Sequence, residues 1–258
     1  MVFNIPHLHK LREWELLSVL GEIPCGAVVL EIGAGTGFQS KLLAEHGLEM
    51  IAIDIARSGY AADRVFPVSD YDGVTLPVAS NSVDFVFSSN VLEHVTDLHA
   101  MHSEIRRVLK PHGTCIHIMP SPWWRFWTTV SGWLDLAPAV LSWARVRRHY
   151  ASDTSAKSAF AFIKAIGPRV VPLRHGERGI ALSELWTFGR TSWCRHFRAE
   201  GYEIEFARPM GLFYTGFMFL GRRLSIDKRK VLARWLGSAC NLYRVRPKGL
   251  GNWQQGST

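Results

Sequence analysis

The segment VVLEIGAGTG, at positions 28–37, joins a short apolar run to three glycines spaced two residues apart. An acidic residue, Glu31, stands just before the first of them. A glycine has no Cβ, so a glycine loop at the end of a buried strand lets a ligand approach the backbone. Gly33, Gly35 and Gly37 therefore predict a nucleotide-cofactor site at the carboxyl end of a strand.

Two kinds of cofactor use such a loop, and the residues around it distinguish them. A dinucleotide fingerprint reads GxGxxG, whereas here the third glycine comes one position early, at Gly37, and is followed by Phe38. A bulky phenylalanine argues against the closest approach of a diphosphate. Asp54 ends the next apolar strand, and a carboxylate there accepts hydrogen bonds from both ribose hydroxyls of either cofactor.

The elements that must position these residues alternate between strand and helix. Buried strands are predicted at VVLEIG, EMIAIDI, SVDFVFSS and TCIHIM, and helices at HLHKLREWELLSVL, FQSKLLAEHG and VLEHV with HAMHSEIRRVLK, the last ended by Pro111 and Gly113. Late strands follow at GYEIEFA and CNLYRVR, with a helix at KRKVLARWLGSA between them. This alternation predicts an α/β fold with a doubly wound, mostly parallel sheet.

Composition divides the chain into unlike halves. Residues 1–119 carry 8 Lys and Arg against 14 Asp and Glu, whereas residues 120–258 carry 22 against 8, together with nine of the ten tryptophans. The predicted organisation is a cofactor-binding half (1–119), a helical aromatic and basic insertion (120–200), closing strands and helices of the core sheet (201–248) and a tail (249–258). A basic, arginine-rich second half favours phosphate or an anionic surface as its partner.

Five ordered motifs resemble the class I S-adenosylmethionine-dependent methyltransferases, in particular the type 11 small-molecule group. They are ExGxGxG at 31–37, Asp54, DxxxLP at 72–77, NSVDFVFSSNVLEHV at 81–95 and RRVLKPHG at 106–113. The resemblance covers roughly residues 25–120. It implies a Rossmann-like methyltransferase fold whose last strand is antiparallel, with the insertion placed before the last two strands.

The resemblance also implies S-adenosyl-L-methionine as the cofactor and a set of contacts to it. Its methionine and ribose would lie against the glycine loop, its ribose hydroxyls on Asp54, and its adenine amino group near Asp72, with Tyr71 or Val74 packing the ring. Asn90 would lie near the methionine. The implied cofactor-binding residues are Glu31, Gly33, Ala34, Gly35, Gly37, Asp54, Ile55, Asp72 and Asn90.

Methyl transfer is an in-line displacement, so an enzyme mainly aligns the nucleophile and excludes water, and a histidine suits the role of general base. The candidates are His94, which follows the fourth strand, and His175 with Glu177 in the loop PLRHGERG. His94 has the alternative role of orienting a helix, and the loop that of a solvated charged segment. His117 lies within a strand pattern and is expected to be packed. No ligand cluster lies on one element, so no metal is predicted.

The stretch PSPWWRFWTTVSGWLDLAPAVLSWARVRRHY, residues 120–150, has three interpretations. It is a helical cap whose tryptophans form its own core, a segment lying on an anionic membrane surface, or a nucleic-acid groove. The third is the weakest, because no RNA-binding module is recognisable. Its longest uncharged run, Phe126 to Leu134, is too short to span a bilayer. In the following segment Trp186 is expected to touch substrate, and Arg190, Arg195 and Arg198 to form a solvated face.

Three functions remain open at this point. The first is an S-adenosylmethionine-dependent methyltransferase acting on a small-molecule or lipid-like acceptor, including an anionic or lipid-linked one. The second is a dinucleotide-dependent oxidoreductase, and the third a non-catalytic, membrane-associated member of the fold. The N-terminus lacks the apolar core of a signal peptide, and the four cysteines form no CxxC pair. A cytoplasmic protein, also peripheral on the inner membrane face, is expected. The acceptor and the oligomeric state stay open.

Overall fold

The computed structural model describes residues 5–134, 136, 140–141, 174–216 and 221–249. The helices are α1 (Ile5–Leu17), α2 (Phe38–Glu45), α3 (Leu98–Val108), α4 (Pro122–Leu134), α5 (Glu184–Thr187), α6 (Arg190–Ala199) and α7 (Ile226–Leu236). The strands are β1 (Val28–Ile32), β2 (Glu49–Ile55), β3 (Ser69–Tyr71), β4 (Val83–Ser89), β5 (Leu109–Pro120), β6 (Tyr202–Pro209) and β7 (Cys240–Pro247).

These strands form one seven-stranded sheet in the order β3-β2-β1-β4-β5-β7-β6. The first five strands, β1 to β5, are parallel to one another. β7 runs antiparallel to both of its neighbours, β5 and β6. The order reverses between β1 and β4, so the loops after these two strands diverge and leave a crevice at their carboxyl ends. The predicted doubly wound sheet with an antiparallel last strand is confirmed.

The central strands are apolar on both faces because helices cover both sides of the sheet. Along β1, Val29 belongs to one buried cluster, while Leu30 and Ile32 belong to the other. The first cluster also contains Leu11 and Leu16 of α1. The N-terminal helix is therefore part of the core, and it packs beside α2 at the edge where the glycine loop lies.

Two boundaries in the first half differ from the prediction. The helix predicted to stop at Pro111 ends at Val108, because Lys110 precedes a proline and is therefore disfavoured in the helical region. β5 begins at Leu109 and includes both Pro111 and Gly113, with a register shift against β4 between Val83 and Phe85. The short strand β3, which pairs with the end of β2, was not predicted.

The described part of the predicted insertion contains α4, α5 and α6. Trp193 and Phe197 are buried, and Arg190, Arg195 and Arg198 are exposed, as expected for a solvated face. Trp186, which was expected to touch substrate, is 68 % exposed. Trp143 lies outside the described residues, as do 142–173 of the insertion and residues 250–258 of the tail.

The backbone at the first glycine loop is left-handed at all three glycines, with φ of 72° at Gly33, 57° at Gly35 and 73° at Gly37. A Cβ at Gly37 would lie 2.8 Å from the Cβ of Phe66, and one at Gly33 would lie 2.5 Å from Cγ2 of Val91. The expectation that the missing Cβ leaves space for a ligand therefore holds only at Gly35. The other two glycines are required by the protein's own packing.

Gly37→Ala should lower the free energy of unfolding by about 1–3 kcal/mol, because it adds a clash to an unfavourable backbone conformation. Gly21→Ala is the matched control, since a Cβ at Gly21 meets no atom within 4 Å. Chemical denaturation of both variants measures the difference. Equal stability of the two variants would contradict the packing argument.

A candidate active site at the carboxyl edge of the sheet

A cavity of about 980 Å³ opens at the carboxyl edge of the sheet. Small-molecule sites usually measure about 300–1,000 Å³, so this one has room for a cofactor and a second molecule. Its walls come from the loops after β1, β2, β3 and β4, from α1 and α4, and from residues 174–175 and 214–216. The cavity lies where the strand order reverses, which is where an open parallel sheet binds its ligands.

Asp54, at the end of β2, connects the second strand to the glycine loop. Its Oδ2 accepts a hydrogen bond of 3.0 Å from the amide of Gly35, and its Oδ1 accepts one of 2.8 Å from the amide of Ile55. The side chain is largely buried but lines the cavity. An ionised carboxylate has about four lone-pair positions, so two remain for hydroxyl groups in the cavity.

The glycine loop supplies part of the cavity wall. Gly33, Ala34 and Gly35 line it, as predicted residues of the cofactor site. Gly37 does not, because its Cα faces Phe66 and Val68 on the protein side. The loop thus presents its first half to the cavity and packs its second half against the segment that follows β2.

Glu31 is a correction to the sequence analysis, because its side chain lies beneath the loop rather than in the cavity wall. The carboxylate accepts a hydrogen bond from Oγ of Ser40, on α2. Burial raises the pKa of Glu31 to about 7, with a further increase from the nearby charge of Asp54. This residue joins β1 to the first turns of α2, and so supports the loop from below.

At the β3 end, the cavity is lined by Ile55, Tyr71, Asp72 and Val74. Oδ1 of Asp72 accepts hydrogen bonds of 2.8 Å from the amides of Val74 and Thr75, and these hydrogen bonds lower the pKa of the carboxyl group. The second oxygen of Asp72 remains available to the solvent and the cavity. The arrangement brings one carboxylate and one aromatic ring to the place predicted for adenine.

Asn90 lies directly after β4, in the left-handed conformation with φ of 57°. In the amide orientation that satisfies both side chains, its oxygen accepts hydrogen bonds of 2.6 Å and 3.0 Å from Nη1 and Nη2 of Arg12. Arg12 also forms an ion pair of 2.7 Å with the buried Glu15. Both Arg12 and Asn90 line the cavity, so α1 supplies a cation to the site.

Two histidines face the same cavity from different segments. His94 follows β4, His175 lies near the start of the described segment 174–216, and their rings meet edge to face at 4.6 Å between centroids. Burial lowers the pKa of His94, and it lowers that of His175 to about 4, so both rings are neutral near pH 7. Neutral imidazoles accept a proton or bind a metal ion. The catalytic role of His94 and His175 stays a prediction.

Between these histidines lies Glu93, which sequence reasoning did not select. Its carboxylate is 2 % exposed, and Oε1 is 3.9 Å from Nε2 of each histidine. Burial raises the pKa of Glu93 to about 8. Three potential metal ligands from two segments lie within 4.8 Å of one another, an arrangement that the expectation of no ligand cluster on one element does not cover.

Glu177 and His117 are not among the described residues that line the cavity. The carboxylate of Glu177 pairs with Arg174 at 3.2 Å, and its amide donates to the carbonyl of Glu93, so the predicted catalytic carboxylate is instead an anchor of the loop. His117 is fully buried, bonded to Ser88 and stacked on Phe197, as expected for a packed histidine.

A second buried cation comes from α4. Arg125 is 4 % exposed and lines the cavity, and its Nε is 3.2 Å from Oε2 of the fully buried Glu184. Nη2 of Arg125 is buried and has no hydrogen-bond partner in the described part of the chain. Oε1 of Glu184 accepts hydrogen bonds from the amides of His175 and Gly176, so the acid also fixes the segment that carries His175.

Several of these residues carry no signal in the sequence. Arg12 stands in a helix pattern rich in charges, and Arg125 in a run of tryptophans, so neither is distinguished from a surface arginine. The one available signal was the helical spacing of α4, since Trp124, Arg125, Thr128, Thr129 and Gly132 lie on one face and line the cavity. This face of α4 covers the site.

Comparison with known proteins supports the resemblance to S-adenosylmethionine-dependent methyltransferases. Residues 30–117 match the type 11 family model described as "Methyltransferase domain". Over 90 residues the chain is 41 % identical to the biotin biosynthesis bifunctional protein BioHC of Cellvibrio japonicus, covering 33 % of this chain and 18 % of that protein. It is 30 % identical over 166 residues to an uncharacterized methyltransferase of Mycobacterium ulcerans, covering 59 % and 64 %. The matches span less than two thirds of these relatives.

Solved structures share the fold at low sequence identity. A S-adenosylmethionine-dependent methyltransferase of Mesorhizobium loti matches with a TM-score of 0.52 and 16 % identity, covering 90 % of this chain and 97 % of that one. Geranyl diphosphate C-methyltransferase of Streptomyces coelicolor, determined with S-adenosyl-L-homocysteine, matches at 0.51 and 14 %, covering 93 % and 82 %. The predicted resemblance is confirmed: the chain has the fold of the class I S-adenosylmethionine-dependent methyltransferases, and residues 30–117 match the model of a methyltransferase domain.

Proposed function

We propose that the chain transfers a methyl group from S-adenosyl-L-methionine to a small anionic acceptor. The observation that carries the proposal is the cavity itself, which has a carboxylate and the glycine loop toward β1–β3, and toward α1 and α4 the half-buried Arg12 and the buried Arg125. A sulfonium cofactor is positively charged at its sulfur and carries no phosphate. It therefore suits the side lined by Asp54 and Asp72, and leaves the arginines for a second molecule.

The cofactor assignment rests on the contacts available at the first two strands. Asp54 keeps lone pairs that can accept hydrogen bonds from the ribose hydroxyls. Gly35 lines the cavity without a Cβ, and the ring of Tyr71 lines it together with Asp72. Phe38 argues against a dinucleotide. It is the first residue of α2, and its ring stacks on that of His9 with 4.0 Å between centroids. A pyrophosphate would need this helix N-terminus as its binding site. This arrangement favours the methyltransferase over the oxidoreductase.

The acceptor class rests on Arg125 and Arg12. A buried guanidinium with an unpartnered Nη2 binds a carboxylate or phosphate in the cavity better than a neutral group, because the charge-assisted hydrogen bond replaces lost hydration. The partners Glu184 and Glu15 hold each arginine in place. Of the described residues between 120 and 200, those of α4 together with Arg174 and His175 then cover the acceptor.

A second part of the proposal concerns an anionic membrane surface as the place of action. We define the aromatic face as Trp123, Phe126 and Trp235, which are 54 %, 42 % and 84 % exposed. Trp123 packs on Gly237 and Trp127 donates to the carbonyl of Leu236, so α4 and the end of α7 are adjacent.

Lys228 and Arg234 are exposed on α7. Tryptophan with basic residues suits an anionic interface. Among the described residues, no helix has the length and apolarity to cross a bilayer.

Asp54→Asn should weaken binding of S-adenosyl-L-homocysteine by at least about tenfold, because it removes charge-assisted hydrogen bonds worth about 1.5–3 kcal/mol. Isothermal titration calorimetry measures the affinity, with Asp63→Asn as the control at an exposed acid of the next loop. An affinity unchanged by Asp54→Asn would count against the proposed cofactor site.

Arg125→Gln should raise the KM for the acceptor at least about tenfold while leaving the affinity for S-adenosyl-L-homocysteine intact. The acceptor is found by transfer of labelled methyl from S-adenosyl-L-methionine to extract fractions separated by anion exchange, in both lipid and aqueous phases. Arg190→Gln, at an exposed arginine, is the control. Labelled product only in fractions that the anion exchanger does not retain would refute an anionic acceptor.

Replacing Trp123, Phe126 and Trp235 by alanine should release the protein from vesicles containing an anionic phospholipid, because the aromatic face provides the apolar contact. Cosedimentation with anionic and neutral vesicles measures binding, and Trp186→Ala is the control at an exposed tryptophan outside this face. If the unaltered protein never sediments with anionic vesicles, the membrane part of the proposal is wrong.

A further inference from the structure

Three metal-binding side chains converge at the wall of the cavity, and they are contributed by two segments far apart in sequence. Glu93 and His94 follow β4, and His175 lies in the insertion of residues 120–200. Oε1 of Glu93 is 3.9 Å from Nε2 of both histidines, and the ligand atoms all lie within 4.8 Å of one another. Ligands placed about 2.1 Å from a tetrahedral zinc ion lie about 3.4 Å apart, so the two separations from Glu93 would have to shorten by about 0.5 Å and the widest separation by at most about 1.4 Å.

The carboxylate of Glu93 points to a missing ligand. It is 2 % exposed, and neither of its oxygens has a hydrogen-bond partner among the described residues. Buried polar groups are normally paired, and a buried carboxylate without partners costs several kcal/mol. Both neighbouring histidines approach it without bonding to it. A cation between the three side chains would satisfy all of them.

The surrounding charges permit a cation there. The positive groups that act on this cluster are Arg12 and Arg125, and each has its own buried acid, Glu15 at 2.7 Å and Glu184 at 3.2 Å. A metal ion bound there would displace the proton that burial favours on the Glu93 carboxyl group. Trp124 lies 4.5 Å from the ring of His175, and shields that side from water.

We propose that Glu93, His94 and His175 bind a divalent metal ion of the zinc class. Two imidazoles and one carboxylate form a common set of three protein ligands for zinc, and such sites keep a fourth position open. His94 and His175 line the cavity, so the open position faces the proposed acceptor. An oxygen atom of an anionic acceptor would bind the ion there, beside Arg125.

The test uses the full chain, depleted of metal with a chelator and titrated with zinc chloride in a calorimeter, with no cofactor or acceptor present. The expected result is one zinc ion per chain, with an affinity at least about tenfold lower in His94→Ala, in His175→Ala and in the isosteric Glu93→Gln. His99→Ala, at an exposed histidine paired with Glu200, is the control and should bind zinc as the unaltered protein does.

Circular dichroism of each variant, with and without zinc, shows whether its fold is intact. Absence of zinc binding by the metal-free chain, or the same zinc affinity in folded His94→Ala and Glu93→Gln as in the control, overturns the proposal. Affinity for S-adenosyl-L-homocysteine is measured separately on the same samples. Failure of the metal site and failure of the methyltransferase proposal are thereby distinguished.

Discussion

The structure depends on one contact at the centre of the sheet edge, where the carboxylate of Asp54 accepts the amide proton of Gly35. This bond connects β2 to a loop whose three glycines all have left-handed backbone. The loop cannot relax into an ordinary turn, because Gly33 and Gly37 pack against Val91 and Phe66. The crevice between β1 and β4 therefore stays open, and the other walls of the cavity are built around it.

Electrostatics divides that cavity into two parts. Carboxylates from the ends of β2 and β3 line one side, and guanidinium groups from α1 and α4 line the other. Each arginine is paired with a buried acid of its own, which stabilises a cation that burial would otherwise disfavour. The separation suits a reaction between a cationic sulfonium and an anionic acceptor. Both partners would then be drawn to opposite sides of one pocket.

Local patterns sufficed for the sheet and for much of the cofactor side. The glycine loop, Asp54 and Asp72 each follow a buried strand, and parallel strands bring their carboxyl ends to one edge. Glu31 and Gly37 were misplaced, because strand alternation and loop packing determine which side faces the cavity. Glu93, His175 and Arg125 meet only through tertiary structure. No spacing in the sequence reports such a contact between segments some 80 residues apart.

The most direct test of the central claim is a crystal structure of the protein with S-adenosyl-L-homocysteine. We expect the ribose hydroxyls within hydrogen-bond distance of the Asp54 carboxylate, the adenine between Tyr71 and Asp72, and the thioether sulfur directed toward Arg125 and the two histidines. A ligand bound elsewhere in the protein, or no ligand density beside Asp54, would contradict the account.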